Sequence, residues 1–189
     1  DIKIKMHRKV QGCIKAILIK REGRRWFAIV QADQEPELLP ETGGSVGLDV
    51  GLKSFVVDTD GNSVENPRFA EKAAIKVKNI QRRLSRTEKG SNNRRKLKDK
   101  LSRAHERISN QRTDFLHKLS RHYVNNYDTI CVEDLDVKGL KEKGHNKGMH
   151  RSIHDTSWSK FMFMLSYKAE SAGRKLIKVD PRNTTQRCS

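Results

Sequence analysis

Two carboxylates stand at the ends of apolar, strand-like runs, and the stretch between them is long, helical in its periodicity and strongly basic. Asp49 lies in Ser45-Val46-Gly47-Leu48-Asp49-Val50-Gly51, and Glu133 in Thr129-Ile130-Cys131-Val132-Glu133-Asp134. An acid on an otherwise apolar strand is costly to bury unless a cation meets it. In a strongly positive protein, two such acids point to divalent metal beside a nucleic-acid backbone. The fold must therefore bring these two runs together and leave the basic stretch outside them.

The rest of the chain is read around that requirement. Ile2, Ile4 and Met6 alternate with Lys3, Lys5 and His7 as in a strand. The runs Ile14–Lys20 and Arg25–Val30 flank Arg21-Glu22-Gly23-Arg24, a hairpin turn. Asp33–Gly44 carries Pro36, Pro40, Gly43, Gly44 and four acids, and marks a boundary. With residues 39–44 as linker, the chain divides into a small β module (1–38) and a main domain (45–189). From Ser45 a three-stranded meander is predicted, turning at Gly51-Leu52-Lys53 and Asp60-Gly61-Asn62.

The period then changes. Ala73, Val77, Ile80 and Leu84 form one helical series, and Leu97, Leu101, Ala104, Ile108, Phe115, Leu119 and Tyr123 a second. Gly90 suits the end of the first helix, and Ser91 or Asn92 the cap of the next. The spacing predicts an antiparallel helical hairpin over about residues 68–126. Tyr127–Glu133 reads as a buried strand and 136–154 as a mobile loop. A helix capped by Thr156 or Ser157 carries Trp158, Phe161, Met162, Leu165 and Ala169 on one face, and Lys175–Val179 reads as the last strand. Strand-strand-strand, helices, strand, helix, strand describes an α/β RNase H-like core with a basic helical-hairpin insertion, in which first and fourth strands lie side by side.

Charge locates the partner. The chain has 40 Lys+Arg against 23 Asp+Glu, a net +17; residues 68–126 hold 18 of those cations and only 5 acids. A merely solvated helix face mixes signs; this one barely does, so nucleic acid is expected there, with Arg82, Arg83, Arg94, Arg95, Lys98, Arg103 and Arg107 as the contacts. No apolar run approaches the roughly 20 residues of a spanning helix, and neither signal peptide nor lipidation motif is visible. No membrane partner is expected. The expected location is cytoplasmic, at the nucleoid. Three cysteines, Cys13, Cys131 and Cys188, give no disulfide framework and fit a reducing compartment. The first two read as small buried hydrophobes, while Cys188 stands in a polar tail.

Several features are weaker. Gly-Leu-Asp-Val-Gly is similar to the first phosphate loop of actin-like ATPases, but residues 127–189 lack the second Asp-x-Gly hairpin and the Gly-rich adenosine loop. His150 and His154 have metal-ligand spacing without a cysteine partner nearby. Trp158 is more simply a core aromatic than a base-stacking one, and Lys53 either meets phosphate near Asp49 or decorates a turn. Outside enzymes, the alternative is a non-catalytic nucleic-acid-binding module on the same scaffold.

In combination, several motifs resemble the TnpB/OrfB family of transposon-encoded RNA-guided DNA endonucleases, relatives of type V CRISPR effectors with a RuvC-like domain. These are Gly47–Phe55, the Gln81–Lys100 region, Gln111–Ser120, Val-Glu-Asp-Leu at 132–135, Trp158–Phe161 and Pro181–Ser189. The resemblance covers the whole chain. It implies that residues 1–38 are the last strands of a wedge domain, and that Asp49 and Glu133 are two catalytic acids binding Mg²⁺ or Mn²⁺. It makes Cys188 the first cysteine of a four-cysteine zinc ribbon, and guide RNA and target DNA the partners. In the family the third acid follows that ribbon. A fragment is therefore expected, one that takes up no zinc itself, binds nucleic acid and cuts it feebly.

Overall fold

The computed structural model describes residues 3–6, 9–23, 25–36, 38–136, 139 and 155–180. His150, His154, Cys188 and most of the 136–154 loop lie outside the described residues. Strands β1 (Cys13–Glu22) and β2 (Arg25–Asp33) pair as an antiparallel hairpin. Five further strands form one mixed sheet: β3 (Ser45–Val50), β4 (Ser54–Asp58), β5 (Ser63–Glu65), β6 (Thr129–Glu133) and β7 (Lys175–Val179). Its spatial order is β5-β4-β3-β6-β7; β3, β4 and β5 form the antiparallel meander, while β3, β6 and β7 run parallel.

Parallel neighbours need long crossovers, and helices supply them. Helices α1 (Phe69–Ser85) and α2 (Asn92–Asn126) lie between β5 and β6, and α3 (Trp158–Ser171) between β6 and β7. Strict alternation on β3 buries Val46, Leu48 and Val50 and leaves Ser45 and Asp49 exposed. On β6 the same alternation buries Ile130 and Val132. These side chains meet Leu116, Tyr123 and Val124 of α2 and Phe161 and Leu165 of α3 in one core. Phe55 sits at its centre, edge-on to Phe115 at 5.1 Å and to Phe161 at 5.3 Å, the geometry aromatic quadrupoles favour. The other sheet face carries Asp49, its cross-strand neighbour Val57, Cys131 and Glu133, and is only partly covered among the described residues.

The segment expected as a linker is docked on this core. Leu39 packs against it and its N–H donates to the Ala172 carbonyl at 3.1 Å. The Arg174 guanidinium, almost wholly buried, donates to the carbonyls of Val124 and Pro40 and pairs with Asp128. Asp128 in turn accepts from the Thr42 N–H at 2.9 Å and the Gly43 N–H at 2.6 Å. One buried cation thus ties together the entering chain, the end of α2 and the start of β7.

Three local expectations are corrected. Lys3–Met6 has no regular structure, because alternation alone does not make a strand without a partner edge. Cys13 is exposed and Cys131 only partly covered. Ser157 adopts a left-handed backbone (φ 55°) and makes no capping bond. Ser91, in contrast, caps α2 as expected, its hydroxyl accepting from the Arg94 N–H at 3.2 Å.

Candidate metal centre and nucleic-acid interface

The parallel β3–β6 ladder pairs Ser45 with Thr129 and runs in register to Leu48 with Val132. Asp49 and Glu133 follow the last pair of this ladder, Leu48 with Val132, and by strand alternation both stand on the sheet face away from the core. Between them β4 and β5 extend the sheet on the far side of β3, and Phe69–Asn126 forms the α1–α2 hairpin. Gly47 keeps this face low: a β-carbon there would stand 2.9 Å from the Thr59 methyl, whose hydroxyl already accepts from the Gly47 N–H. Asp49 is exposed and Glu133 half-buried, and no Lys or Arg ion pair to Asp49 occurs among the described residues. Lys53 is exposed in the turn after β3.

The chemistry available is that of two hard oxygen donors on rigid strands. Mg²⁺ keeps several waters and takes one or two protein carboxylates, so a pair fits it. No group of three His, Cys, Asp or Glu poised for a metal occurs among the described residues. Asp134 follows Glu133 but is exposed, with its N–H donating to the Val179 carbonyl and its carboxylate 3.6 Å from Lys178.

A cavity of about 360 Å³ opens where β6 ends, lined by Glu133, Leu135, Trp158, Met162 and Phe163, with Asp134, Ser159, Ser166 and Lys178 at its polar side. Trp158 belongs to the core, as its helical spacing predicts. Its indole N–H is buried without a hydrogen-bond partner among the described residues. Phe163, one turn on, is 69% exposed. Helical spacing alone did not single it out, because it lies off the stripe that predicts core.

The basic arm divides in a way composition does not reveal. Arg94 is turned inward: its guanidinium donates to the carbonyls of Leu84 and Thr87, each at 2.8 Å, and so closes the α1–α2 turn. Arg82 and Arg83 are exposed in the last turn of α1. On α2 the seam toward α1 follows Leu97, Leu101, Ala104 and Ile108; at 100° per residue Arg95 and Lys98 fall on one flank, and Lys96, Lys100, Arg103 and Arg107 on the other. The β1–β2 turn meets α2 at Ser102 and Glu106, where Arg25 forms an ion pair. This contact leans toward the Arg95 flank. The opposite flank continues through Lys118 and Arg121, all six cations exposed, over about 38 Å of helix.

At the junction of arm and core, Asp155 accepts from the Ala70 N–H at 3.0 Å and pairs with Arg112. It serves as the N-terminal cap that Arg68, left-handed at φ 48°, does not provide. Sequence patterning had no means to find this pairing, which joins residues 85 positions apart.

The mixed sheet with its two strand-end acids and the long cationic arm form one α/β unit, and comparison gives its family. The profile of OrfB_IS605, "Probable transposase", matches residues 28–144, and that of the Cas12f1-like TNB domain matches residues 158–189. The chain belongs to the OrfB/TnpB family. It is 36% identical over 156 residues to a "Putative RNA-guided DNA endonuclease" of Streptomyces pristinaespiralis, covering 82% of this chain and 38% of the relative. It is 32% identical over 195 residues to the similarly named InsQ of Escherichia coli K12, covering 96% and 48%. Among solved structures, the Cas12f1–sgRNA–target DNA complex superposes with TM-score 0.54 at 19% identity, over 92% of this chain and 38% of that one. The CRISPR-Cas12f ternary complex gives TM-score 0.55 at 15% identity, over 87% and 34%. The chain thus spans less than half the length of these relatives. No described helix is long and apolar enough to cross a membrane.

Proposed function

We propose that the five-stranded sheet is an RNase H-like, RuvC-type nuclease core, and that Asp49 and Glu133 hold divalent metal for DNA phosphodiester hydrolysis directed by a guide RNA. One observation supports this reading: the two acids directly follow the last pair of the parallel β3–β6 ladder, on the sheet face away from the core. Bound Mg²⁺ or Mn²⁺ would supply an activated water and charge stabilisation at the leaving oxygen. The chain's own part is to fix two carboxylates on strands, exclude competing cations from Asp49 and present the α2 flank to a phosphate backbone. The names of the relatives support RNA-guided DNA cutting, and the Cas12f1 complexes support RNA and DNA as partners.

Asp49 and Glu133 are two acids, and the family resemblance implies a third that completes the site. Zinc would likewise need donors beyond Cys188: tetrahedral thiolate sites take four ligands, and Cys13 and Cys131 lie in different sheets.

Mn²⁺ binding followed by electron paramagnetic resonance tests the proposal. The wild-type chain should bind Mn²⁺, Asp49→Ala and Glu133→Ala should each lose it, and thermal stability should be nearly unchanged because Asp49 is exposed. In a longer protein with guide RNA and Mg²⁺, either substitution should abolish DNA cleavage. Mn²⁺ bound equally by Asp49→Ala would refute the assignment.

A further inference from the structure

The outer face of α3 bears a feature that the metal centre does not use. Phe163, Ser166 and Tyr167 recur at spacings that place them together, away from the core stripe of Phe161, Leu165 and Ala169, while Met162 packs at the edge of the core. Phe163 is 69% and Tyr167 39% exposed, and their rings stand 5.6 Å apart, tilted at 51°. An exposed aromatic pair on a helix whose other face supplies the core is not needed for folding. Phe163 also lines the cavity that Glu133 borders.

The chemistry of that cavity selects its occupant. Its apolar wall is Leu135, Trp158, Met162 and Phe163, and its volume lies within the range of ligand pockets, roughly 300–1000 Å³. The cation lining it, Lys178, already pairs with Asp134, which leaves Glu133 at its edge to disfavour a phosphate inside. A neutral heterocycle suits it better: flat faces for the aromatic wall, and edge acceptors for the hydroxyls of Ser159 and Ser166. In a protein of net +17, such a ring arrives on a polyanionic strand.

Resting on the nuclease reading above, we infer that Phe163 and Tyr167 form a stacking step for unpaired bases of a DNA strand, and that the cavity beside Glu133 receives one base next to the phosphate at the metal centre. A base inside a duplex has no free face to offer, so the step selects single strands. Base–aromatic stacking is sequence-tolerant and strong enough to hold a strand in place.

The test is anisotropy of fluorescein-labelled (dT)20 with the 189-residue chain in EDTA, where the metal centre plays no part. Phe163→Ala/Tyr167→Ala should weaken (dT)20 binding roughly five- to hundredfold, with the slope against salt unchanged because no phosphate contact is lost. Phe163→Trp should retain affinity, and a 20-base-pair duplex should bind the double variant as well as wild type. Equal loss on duplex, or unchanged (dT)20 affinity, would overturn the inference. So would a change of oligomeric state in sedimentation without loss of (dT)20 affinity, which would make the pair a protein contact. The stacking step is read by (dT)20 in EDTA and the metal centre by Mn²⁺ binding, so loss of one reading with the other retained separates failure of the stacking step from failure of the metal centre.

Discussion

The two halves of α2 are one continuous helix and behave as different materials. Its C-terminal half places Leu116, Leu119, Ser120, Tyr123 and Val124 in the core. Its N-terminal half buries only Leu97 and Ile108, against an α1 that has no buried residue at all. The inner half is held by apolar burial; the outer half is held by a narrow seam, a cap and a turn, with cations on both flanks. The same helix therefore anchors a domain and projects a polyelectrolyte arm, and substitutions should separate the two roles.

The largest effect is expected on binding. Replacing Lys96, Lys100, Arg103 and Arg107 with Gln removes up to four phosphate contacts, and the log–log salt slope on B-DNA should fall by about 3.6. Melting temperature should barely move. The matched set Arg82, Arg83, Arg95 and Lys98 should do less, because the β1–β2 turn leans toward the Arg95 flank; equal losses from both sets would mean that the arm is wrapped rather than read from one side.

Phe161→Ala should act in the opposite sense, costing about 4 kcal/mol in urea unfolding. Phe161 is fully buried against Phe55, and whatever fraction stays folded should keep its salt slope. Arg174→Ala follows at about 3 kcal/mol, since it removes a buried guanidinium that serves the Val124 and Pro40 carbonyls and pairs with Asp128. This junction also sets an acid limit. Asp128 is held below the usual carboxylate range, first by the Thr42 N–H, then by the Gly43 N–H, the Thr42 hydroxyl and Arg174, against the opposing effect of desolvation. A depressed pKa stabilises the fold above the ordinary carboxylate value, and that contribution disappears as pH falls through the folded value. Asp128→Asn should flatten the acid limb of a stability–pH profile; an unchanged limb would place the acid sensitivity elsewhere.

The smallest effect sits in the arm. Ser91→Ala removes the α2 cap and should cost about 1 kcal/mol, seen as faster amide exchange in the first turn of α2 while Tyr123 and Val124 stay protected. Loss of protection in both halves together would show the helix to be one cooperative unit.

Local pattern determined a good deal here. Period-two alternation located β3 and β6 because each has a dry face, and period 3.6 located α1, α2 and α3 because each has an apolar stripe. The cap at Ser91 and the hairpin turn at Gly23 follow from backbone chemistry within four residues. The acids Asp49 and Glu133 stood out because charge on an apolar strand is energetically conspicuous. What the sequence could not decide was pairing at long range. That the strands of Asp49 and Glu133 lie side by side, that Asp155 caps a helix 85 residues before it, and that Arg94 turns inward while Lys96 faces out all depend on which surfaces meet. Isolated alternation misled for the same reason at Lys3–Met6: a strand is defined by its neighbour. Exposed aromatics such as Phe163 carry no periodic signature, and only the tertiary structure shows that the core has already been filled without them.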